Sequence, residues 1–312
     1  MQNIQSVVAS WEPTFQRGWT FQELLLSPRV LMFDSYQITL KCREHNFRPV
    51  IETWMPLEID CLDLPVSVYG LEDEELARRK TVEAKEDYLK ATQGYIWERI
   101  IHEYSERDLT LFNDRLSALA GIAAELAKAW NDIYLAGFWG KTIIQHLGWQ
   151  RQGFKTLRGV DSTKRIGAPS WSWVTVPYPV LIKKPLQSEA KLVGSGIQPV
   201  SLKSPFGQVE AALIVLKTWI LKASDLVESN YWPLFPQNEI STFVFDFEDP
   251  KPEIEHCKLV YLGRTGDLGQ FLIVEKSQDK RFQRVGYANL YKWERKWENY
   301  LFSTKSEIIV LE

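Results

Sequence analysis

The hydrophobic pattern of the chain changes from helical to strand-like just past its middle, and this change restricts the fold more than any other feature. Before it, apolar residues recur at three- and four-residue intervals, as on the buried face of a helix. After it, apolar residues fall in short runs separated by proline, glycine and aspartate, as in short antiparallel strands. The sequence therefore predicts an α+β fold with a helical middle and a β-rich C-terminal region.

Two helices carry the helical pattern clearly, and a third carries it weakly. The first runs from about Thr92, and its buried face consists of Trp97, Ile100, Ile101 and Tyr104. The second has Asn113 or Asp114 as its N-cap. Its apolar residues keep helical spacing over four turns: Leu116, Leu119, Ala120, Ala123, Leu126, Ala127 and Trp130. The third is predicted at about Trp139–Trp149.

The strand-like runs of the second half predict an antiparallel sandwich or an open barrel. The candidate strands are Trp171–Val176, Lys191–Gly194, Val209–Ala223 (expected to be broken), Thr242–Phe247, Lys258–Leu262, Phe271–Glu275, Arg281–Leu290 and Ser306–Leu311. Trp171 and Trp173 would share one face of the first of these strands. We expect both indoles to pack against the helical middle, and a stacking platform for sugar is the alternative.

The N-terminal part of the chain predicts a short helix followed by a hairpin. Thr20 and Glu23 fit a capping box, with Trp19 and Leu24 as a hydrophobic staple around it. The helix would span about Phe21–Leu26. Strands at Arg29–Phe33 and Tyr36–Cys42 would follow, joined by a turn at Asp34-Ser35, and residues 43–80 read as irregular.

We therefore expect three segments: residues 1–75, 76–168 and 169–312.

Composition excludes several classes of protein for this chain. The formal net charge is −3 and the pI is about 6.0, so a global basic surface for nucleic acid is not expected. The longest apolar run, Ala211 to Leu216, is far below the ~18 residues that a membrane span needs. With 3 cysteines and no secretory leader in the sequence, we expect a cytoplasmic protein.

No complete catalytic or metal-binding arrangement is visible in the sequence. Cys42 and His45 have metal-like spacing, and Cys61 is a candidate third ligand, but a zinc site needs a second close pair. Gly140-Lys141-Thr142 resembles the end of a phosphate-binding loop without its first glycine. We therefore expect no catalytic residue, no cofactor, no metal ion and no intrinsic catalysis.

Several blocks of the sequence, taken in order, resemble fungal heterokaryon incompatibility (HET) domain proteins. The blocks are Arg17-Gly18-Trp19-Thr20-Phe21-Gln22-Glu23, Leu26-Ser27-Pro28-Arg29-Val30-Leu31, Arg107-Asp108-Leu109-Thr110, Asp114 to Gly121, Tyr134 to Trp139, Ala168 to Val174, and Arg284-Val285-Gly286-Tyr287. The opening segments of a HET domain have no counterpart here. We therefore expect the tail of such a domain plus the region that follows it.

The resemblance implies a role in self/non-self recognition, in which HET proteins help to trigger cell death when incompatible hyphae fuse. A protein partner of unknown identity is expected. One alternative is a remnant of a TIR-like NAD-cleaving enzyme, and another is a tryptophan-rich carbohydrate-binding protein. The role of the family-motif residues, structural or functional, stays open: Arg17, Gly18, Trp19, Gln22, Glu23, Arg29, Trp171 and Trp173.

Overall fold

The computed structural model describes residues 16–33, 38–42, 45–49, 64–69, 73–153, 157, 167–224, 242–247, 251–277, 281–290, 299 and 301–312. Within them it confirms the predicted α+β fold, with a helical middle and a β-rich C-terminal region. The predicted turn at Asp34-Ser35 and the candidate ligand Cys61 lie outside the described residues.

The N-terminal unit is a helix followed by three antiparallel strands. Its elements are α1 Gly18–Leu26, β1 Arg29–Phe33, β2 Ile38–Cys42 and β3 His45–Pro49, with the strand order β1-β2-β3. The helix and the β1–β2 hairpin confirm the prediction. Strand β3 falls in the segment predicted to be irregular, so this part of the prediction is wrong.

The predicted capping box of α1 is wrong, because the helix begins earlier than expected. Arg17 is the N-cap residue, and its side chain makes no cap hydrogen bond. Thr20 lies inside the first turn, where its Oγ1 donates to the Arg17 carbonyl over 2.8 Å. Trp19 and Leu24 are both helical residues, so the predicted staple across the helix start does not form either.

The helical middle contains α2 Glu74–Arg78, α3 Val82–Ser105, α4 Arg115–Trp130 and α5 Ile143–His146, with short 3₁₀ turns at Val66–Tyr69 and Phe112–Asp114. The predicted face of α3 is buried, as are most of the predicted residues of α4. Helix α3 begins earlier than predicted, because Thr81 Oγ1 caps it by accepting from Ala84 N over 3.1 Å. Asp114 is the N-cap of α4, although its side chain makes no cap hydrogen bond.

The predicted third helix is largely wrong. β4 Tyr134–Leu135 and β5 Phe138–Trp139 lead into the predicted range of Trp139–Trp149, of which only α5 is an α-helix. Trp149 already begins β6 Trp149–Arg151. The chain turns sharply between β4 and β5, where Ala136 has φ 44° and Gly137 has φ 98°. This turn pairs β4 with β5, so Trp139, where the helix was predicted to begin, reaches the core from the end of a short strand instead.

The β-rich region is built on one nine-stranded sheet, and β6 pairs separately with β7 Val180–Ile182. The strands of the large sheet are β8 Gln187–Ser188, β9 Lys191–Pro199, β10 Val209–Thr218, β11 Ile220–Lys222, β12 Thr242–Phe245, β13 Cys257–Thr265, β14 Leu268–Lys276, β15 Arg281–Leu290 and β16 Glu307–Leu311. All of its pairs are antiparallel except the short one between β15 and β16. The expected break in the run from Val209 to Ala223 falls at Trp219, between β10 and β11.

The large sheet closes on itself through this break. Neighbouring strands follow the order β11-β13-β14-β15-β16-β10-β9, so four other strands lie between β11 and β10 in the sheet. Only Trp219 separates them in sequence, and Tyr261 N of β13 donates to the Trp219 carbonyl over 3.0 Å. The strand pairings therefore form a closed circuit, so of the two predicted architectures the structure is nearer to the barrel.

Alternate residues of the sheet enter two different hydrophobic clusters, so β13 and β14 are buried on both faces. The larger cluster takes Val260, Leu262, Leu272 and Val274, and the smaller takes Leu259, Tyr261, Phe271 and Ile273. The larger cluster also contains Phe21 of α1 and Trp97 of α3. Residues from all three predicted segments therefore share one core.

Trp171 and Trp173 do not lie on a strand, which corrects the prediction for that segment. Trp173 begins a 3₁₀ turn, Trp173–Thr175, and Ser172 accepts a hydrogen bond at its start. Both indoles are fully buried. Trp173 packs edge-on against Tyr104 of α3, and Trp171 stacks on Phe138 of β5. The expectation that both pack against the helical middle is confirmed.

Arg284 of β15 joins the barrel to the short β6–β7 ladder through a buried set of polar contacts. Its guanidinium donates to the carbonyls of Leu147 and Trp149 and to the carboxylate of Asp246. Its Cζ lies 3.4 Å from the centroid of the Trp149 ring. Arg284 and Asp246 are 0% and 1% exposed, so each charge depends on the other for compensation.

We expect Trp173→Ala to lower the melting temperature of the whole chain, because the larger cluster contains helical and barrel residues together. A large-to-small change of a buried tryptophan typically costs ~3–5 kcal/mol of unfolding free energy. Thermal unfolding followed by circular dichroism measures the change. Leu202→Ala is the control, since Leu202 is 88% exposed. An unchanged melting temperature for Trp173→Ala would contradict the shared core.

Candidate functional site

Two blocks of the HET-like pattern meet where α1 begins. Gly18 N donates to the Asp108 carbonyl over 2.8 Å, and Asp108 N donates to the Gln16 carbonyl over 2.7 Å. A Cβ on Gly18 would lie 2.5 Å from Cδ2 of Leu109. The missing side chain of Gly18 therefore leaves room for Leu109 where the helix packs on the loop after α3, which gives this motif residue a packing role.

Gln22 fixes α1 against α4. Its Oε1 accepts a hydrogen bond from Gly121 N over 3.1 Å. A Cβ on Gly121 would lie 2.6 Å from the same oxygen. Glycine at this position of α4 therefore leaves room for the side-chain amide of Gln22. Gln22 is thus a second motif residue whose role is to hold the helices together.

Arg107 lies beneath α1 and is almost buried, with 9% of the residue exposed. Its Cζ lies 4.6 Å from the centroid of the Phe21 ring, in a cation–π contact. Its Nη1 donates to the Arg17 carbonyl over 3.5 Å. Burial lowers the pKa of Arg107 to about 10, although the negative charge of Glu103 acts to raise it. The guanidinium therefore stays charged at neutral pH.

A cleft of about 480 Å³ lies between α1 and β1, and the motif residues Glu23 and Arg29 are among those that line it. It is lined by Thr20, Glu23, Leu24, Ser27, Arg107 and all five residues of β1. Glu23 and Arg29 therefore belong to this cleft and not to a helix cap. A volume of this size lies within the range of ligand sites in proteins. We take the cleft as the candidate functional site.

Apolar side chains remain exposed beside the cleft. Leu31 and Phe33 of β1 are 52% and 69% exposed, and Leu40 of β2, which pairs with Leu31, is 42% exposed. Trp19 on α1 is 43% exposed. Leu31, Phe33 and Leu40, which we call the apolar face, lie on the strand pair that also borders the cleft. Contiguous exposed apolar surface of this kind marks interaction sites.

The site differs in several ways from what the sequence predicted. Trp171 and Trp173 lie in the core and not at the cleft. Arg17 is exposed at the start of α1 and does not line the cleft. The sequence did not predict the apolar face, although Leu31 and Phe33 alternate within a predicted strand and would therefore share one of its faces. It also missed Arg107, which was visible only as part of a family-like block.

Two further titratable groups with displaced pKa values, His146 and Cys257, belong to the core. Burial lowers the pKa of His146 to about 4, and its Nε2 lies 3.1 Å from the Gly94 carbonyl. Burial also raises the pKa of Cys257 to about 12. Neither group lines the cleft. In the described part of the chain, no three His, Cys, Asp or Glu residues gather where they could hold a metal ion.

Comparison of the chain with known protein families, curated proteins and solved structures finds no match. Among the helices that the structure describes, none combines the length and apolar character that crossing a membrane requires. The resemblance to HET proteins thus depends on the sequence blocks alone.

We expect Gly121→Ala and Gln22→Ala to be coupled in stability. An alanine at position 121 gains about 1 kcal/mol of helix propensity over glycine but displaces the Gln22 amide, which loses a hydrogen bond of about the same value. Gly121→Ala should therefore be nearly neutral alone and stabilising in a Gln22→Ala background. Denaturant unfolding of the four proteins measures the coupling. Additive effects would show that Gln22 does not hold α4.

Proposed function

We propose that this chain is a signalling and interaction protein of the HET type, acting through protein partners in the cytoplasm in self/non-self recognition. The observation that carries the proposal is the apolar face beside the cleft, where Phe33 is 69% exposed. Gly18 and Gln22 hold α1 in place behind it, so the HET-like blocks present a fixed surface. A net charge of −3 favours a protein partner over nucleic acid.

A second candidate function is NAD cleavage, which the cleft itself supports. Glu23 is a carboxylate within a concave site that also holds Arg29 and Arg107. A carboxylate and cationic groups in one cleft can bind a phosphate-bearing ligand and act on its sugar bond. The described residues of the cleft contain no histidine, cysteine or second acid to assist Glu23. The interaction function therefore remains our proposal.

The carbohydrate-binding alternative loses the two side chains that suggested it. Trp171 and Trp173 are both fully buried, so they cannot stack on a sugar ring. Trp173 donates from Nε1 to the Gly137 carbonyl over 2.9 Å, which holds the indole inside the core.

We expect Phe33→Asp to abolish the cellular response to the protein. The measurement is loss of viability, scored with a vital dye, after induced expression in a filamentous fungus. An aspartate at the centre of an apolar interface would have to be desolvated, which costs several kcal/mol of binding free energy. Leu202→Asp is the matched control, since Leu202 is 88% exposed and lies outside the apolar face. Equal responses from wild type and Phe33→Asp, with equal protein levels, would contradict the proposal.

We expect the purified chain to release no nicotinamide from NAD above a protein-free control. Nicotinamide is followed by chromatography, and Glu23→Gln and Glu74→Gln serve as test and control variants. Glu74 is an exposed residue of α2, outside the cleft. Release that Glu23→Gln abolishes and Glu74→Gln preserves would replace the interaction proposal with the enzymatic one.

A further inference from the structure

The residues that line the cleft indicate that it runs along the edge of strand β1. All five consecutive residues of β1, Arg29 to Phe33, line it. Successive side chains of a strand point to opposite faces of the sheet, so a cleft that lies over one face would touch alternate residues only. A cleft that reaches every residue must follow the side of the strand, where the backbone itself is accessible.

Strand β1 is an edge of its sheet in the described part of the chain. The sheet order is β1-β2-β3, and the register pairs Arg29 with Cys42 and Phe33 with Ile38 along one side of β1. An edge strand presents a row of N–H and C=O groups on its other side, which can pair with an additional strand. In this structure that row faces the cleft.

The cleft also presents the positive charge of Arg107, which is favoured electrostatically by Glu103, a carboxylate that is itself paired with Arg99 over 3.2 Å. Arg107 is 9% exposed, and the hydrogen bond of its guanidinium to a described residue is the 3.5 Å contact with the Arg17 carbonyl. Arg29 adds a second cation and Glu23 one carboxylate, so the charged residues lining the cleft sum to one excess positive charge. A guanidinium in this position is suited to a carboxylate, because paired hydrogen bonds between ions are among the strongest in proteins.

We propose that an extended segment of a partner protein adds to the edge of β1 as a further strand, and that an acidic side chain of this segment binds Arg107. The inference rests on the proposed interaction function and names the chemistry of its partner. Leu24, Val30 and Met32 line the same cleft, so the segment alternates apolar and acidic residues. Pairing through the backbone supplies affinity, and the Arg107 contact supplies specificity.

The test is direct binding of labelled peptides to the purified chain, measured by fluorescence polarisation. The probe is a fluorescein-labelled octapeptide of alternating valine and glutamate. The matched peptides alternate valine with lysine and valine with serine. We expect the acidic peptide to bind, the serine peptide to bind at least about tenfold more weakly, and the lysine peptide not to bind. Equal binding of the acidic and serine peptides would overturn the proposed role of Arg107.

Variants of the chain test the same contact from the protein side. Arg107→Met should weaken binding of the acidic peptide at least about tenfold, whereas Arg78→Met, which removes an exposed arginine of α2, should change it less than about twofold. Because Arg107 also packs on Phe21, a second variant is needed that does not disturb folding. Glu23→Gln removes a like charge from the exposed wall and should tighten binding a few-fold. No change in both Arg107→Met and Glu23→Gln would overturn the proposal.

Backbone methylation separates strand addition from simple charge attraction. Two further peptides carry N-methyl groups, one at every odd position and the other at every even position. In an added strand only alternate N–H groups point to β1, so one of the two peptides should lose binding and the other should keep it. Equal binding of both peptides would mean that no strand forms, and the proposal would fail.

Other occupants of the cleft give different results in the same experiments. Inorganic phosphate that binds with the same dependence on Arg107, without any peptide binding, would make the cleft an anion site and overturn the proposal. Self-association of the chain in sedimentation, lost in Phe33→Asp and unaffected by peptide, would assign the edge to a second copy of the chain and would also overturn the proposal.

Peptide binding without a cellular effect of Phe33→Asp would reject the proposed function alone. Loss of the cellular effect without peptide binding would reject only this inference.

Discussion

One backbone carbonyl, that of Gly137, ties the helical middle to the β-rich region. It accepts hydrogen bonds from Nε1 of Trp97 and from Nε1 of Trp173, each over 2.9 Å. Gly137 has φ 98°, and a Cβ there would lie 3.0 Å from Trp173 Nε1, so only glycine gives the two indoles access to this oxygen. Buried indole N–H groups need such acceptors, and two large aromatic side chains are thereby fixed in a single arrangement. The core that contains α1, α3 and the barrel is built around this arrangement.

Buried arginines of this fold are used in two different ways. Arg115 donates to the carbonyls of Val176 and Ser105, and Arg284 donates to two carbonyls and to Asp246. Both guanidiniums thus exchange water for several protein acceptors, as burial of a charge requires. Arg107 is also nearly buried but makes one long hydrogen bond within the described part of the chain, at the wall of a cleft. The contrast indicates that Arg115 and Arg284 serve the fold, whereas Arg107 is the arginine that the proposed segment would bind.

The sequence predicted the elements that depend on local periodicity and missed what depends on tertiary contact. Strand β15 has the predicted bounds, and the face of α3 is the predicted one, because burial of one side imposes its own spacing on a strand or helix. The capping box failed because docking of Gly18 on the Asp108 loop extends α1 backwards beyond Thr20. The third helix is only one turn long, because Trp139 at its predicted start belongs to β5 and Trp149 at its predicted end pairs with Ile182 of β7. The second of these pairings is a tertiary contact that the local pattern does not contain.

The same division explains how much of the candidate site could be predicted. Gly18 and Gln22 were identified as motif residues, but their packing partners lie ninety or so positions away, so their roles required the fold. Glu23 and Arg29 were identified beside them and proved to be exposed at the cleft. A motif of this kind mixes residues that position a surface with residues that form it, and spacing alone cannot separate the two. Burial separates them: the side of α1 that carries Gly18 and Gln22 faces the helices, and the side that carries Glu23 faces the cleft along β1.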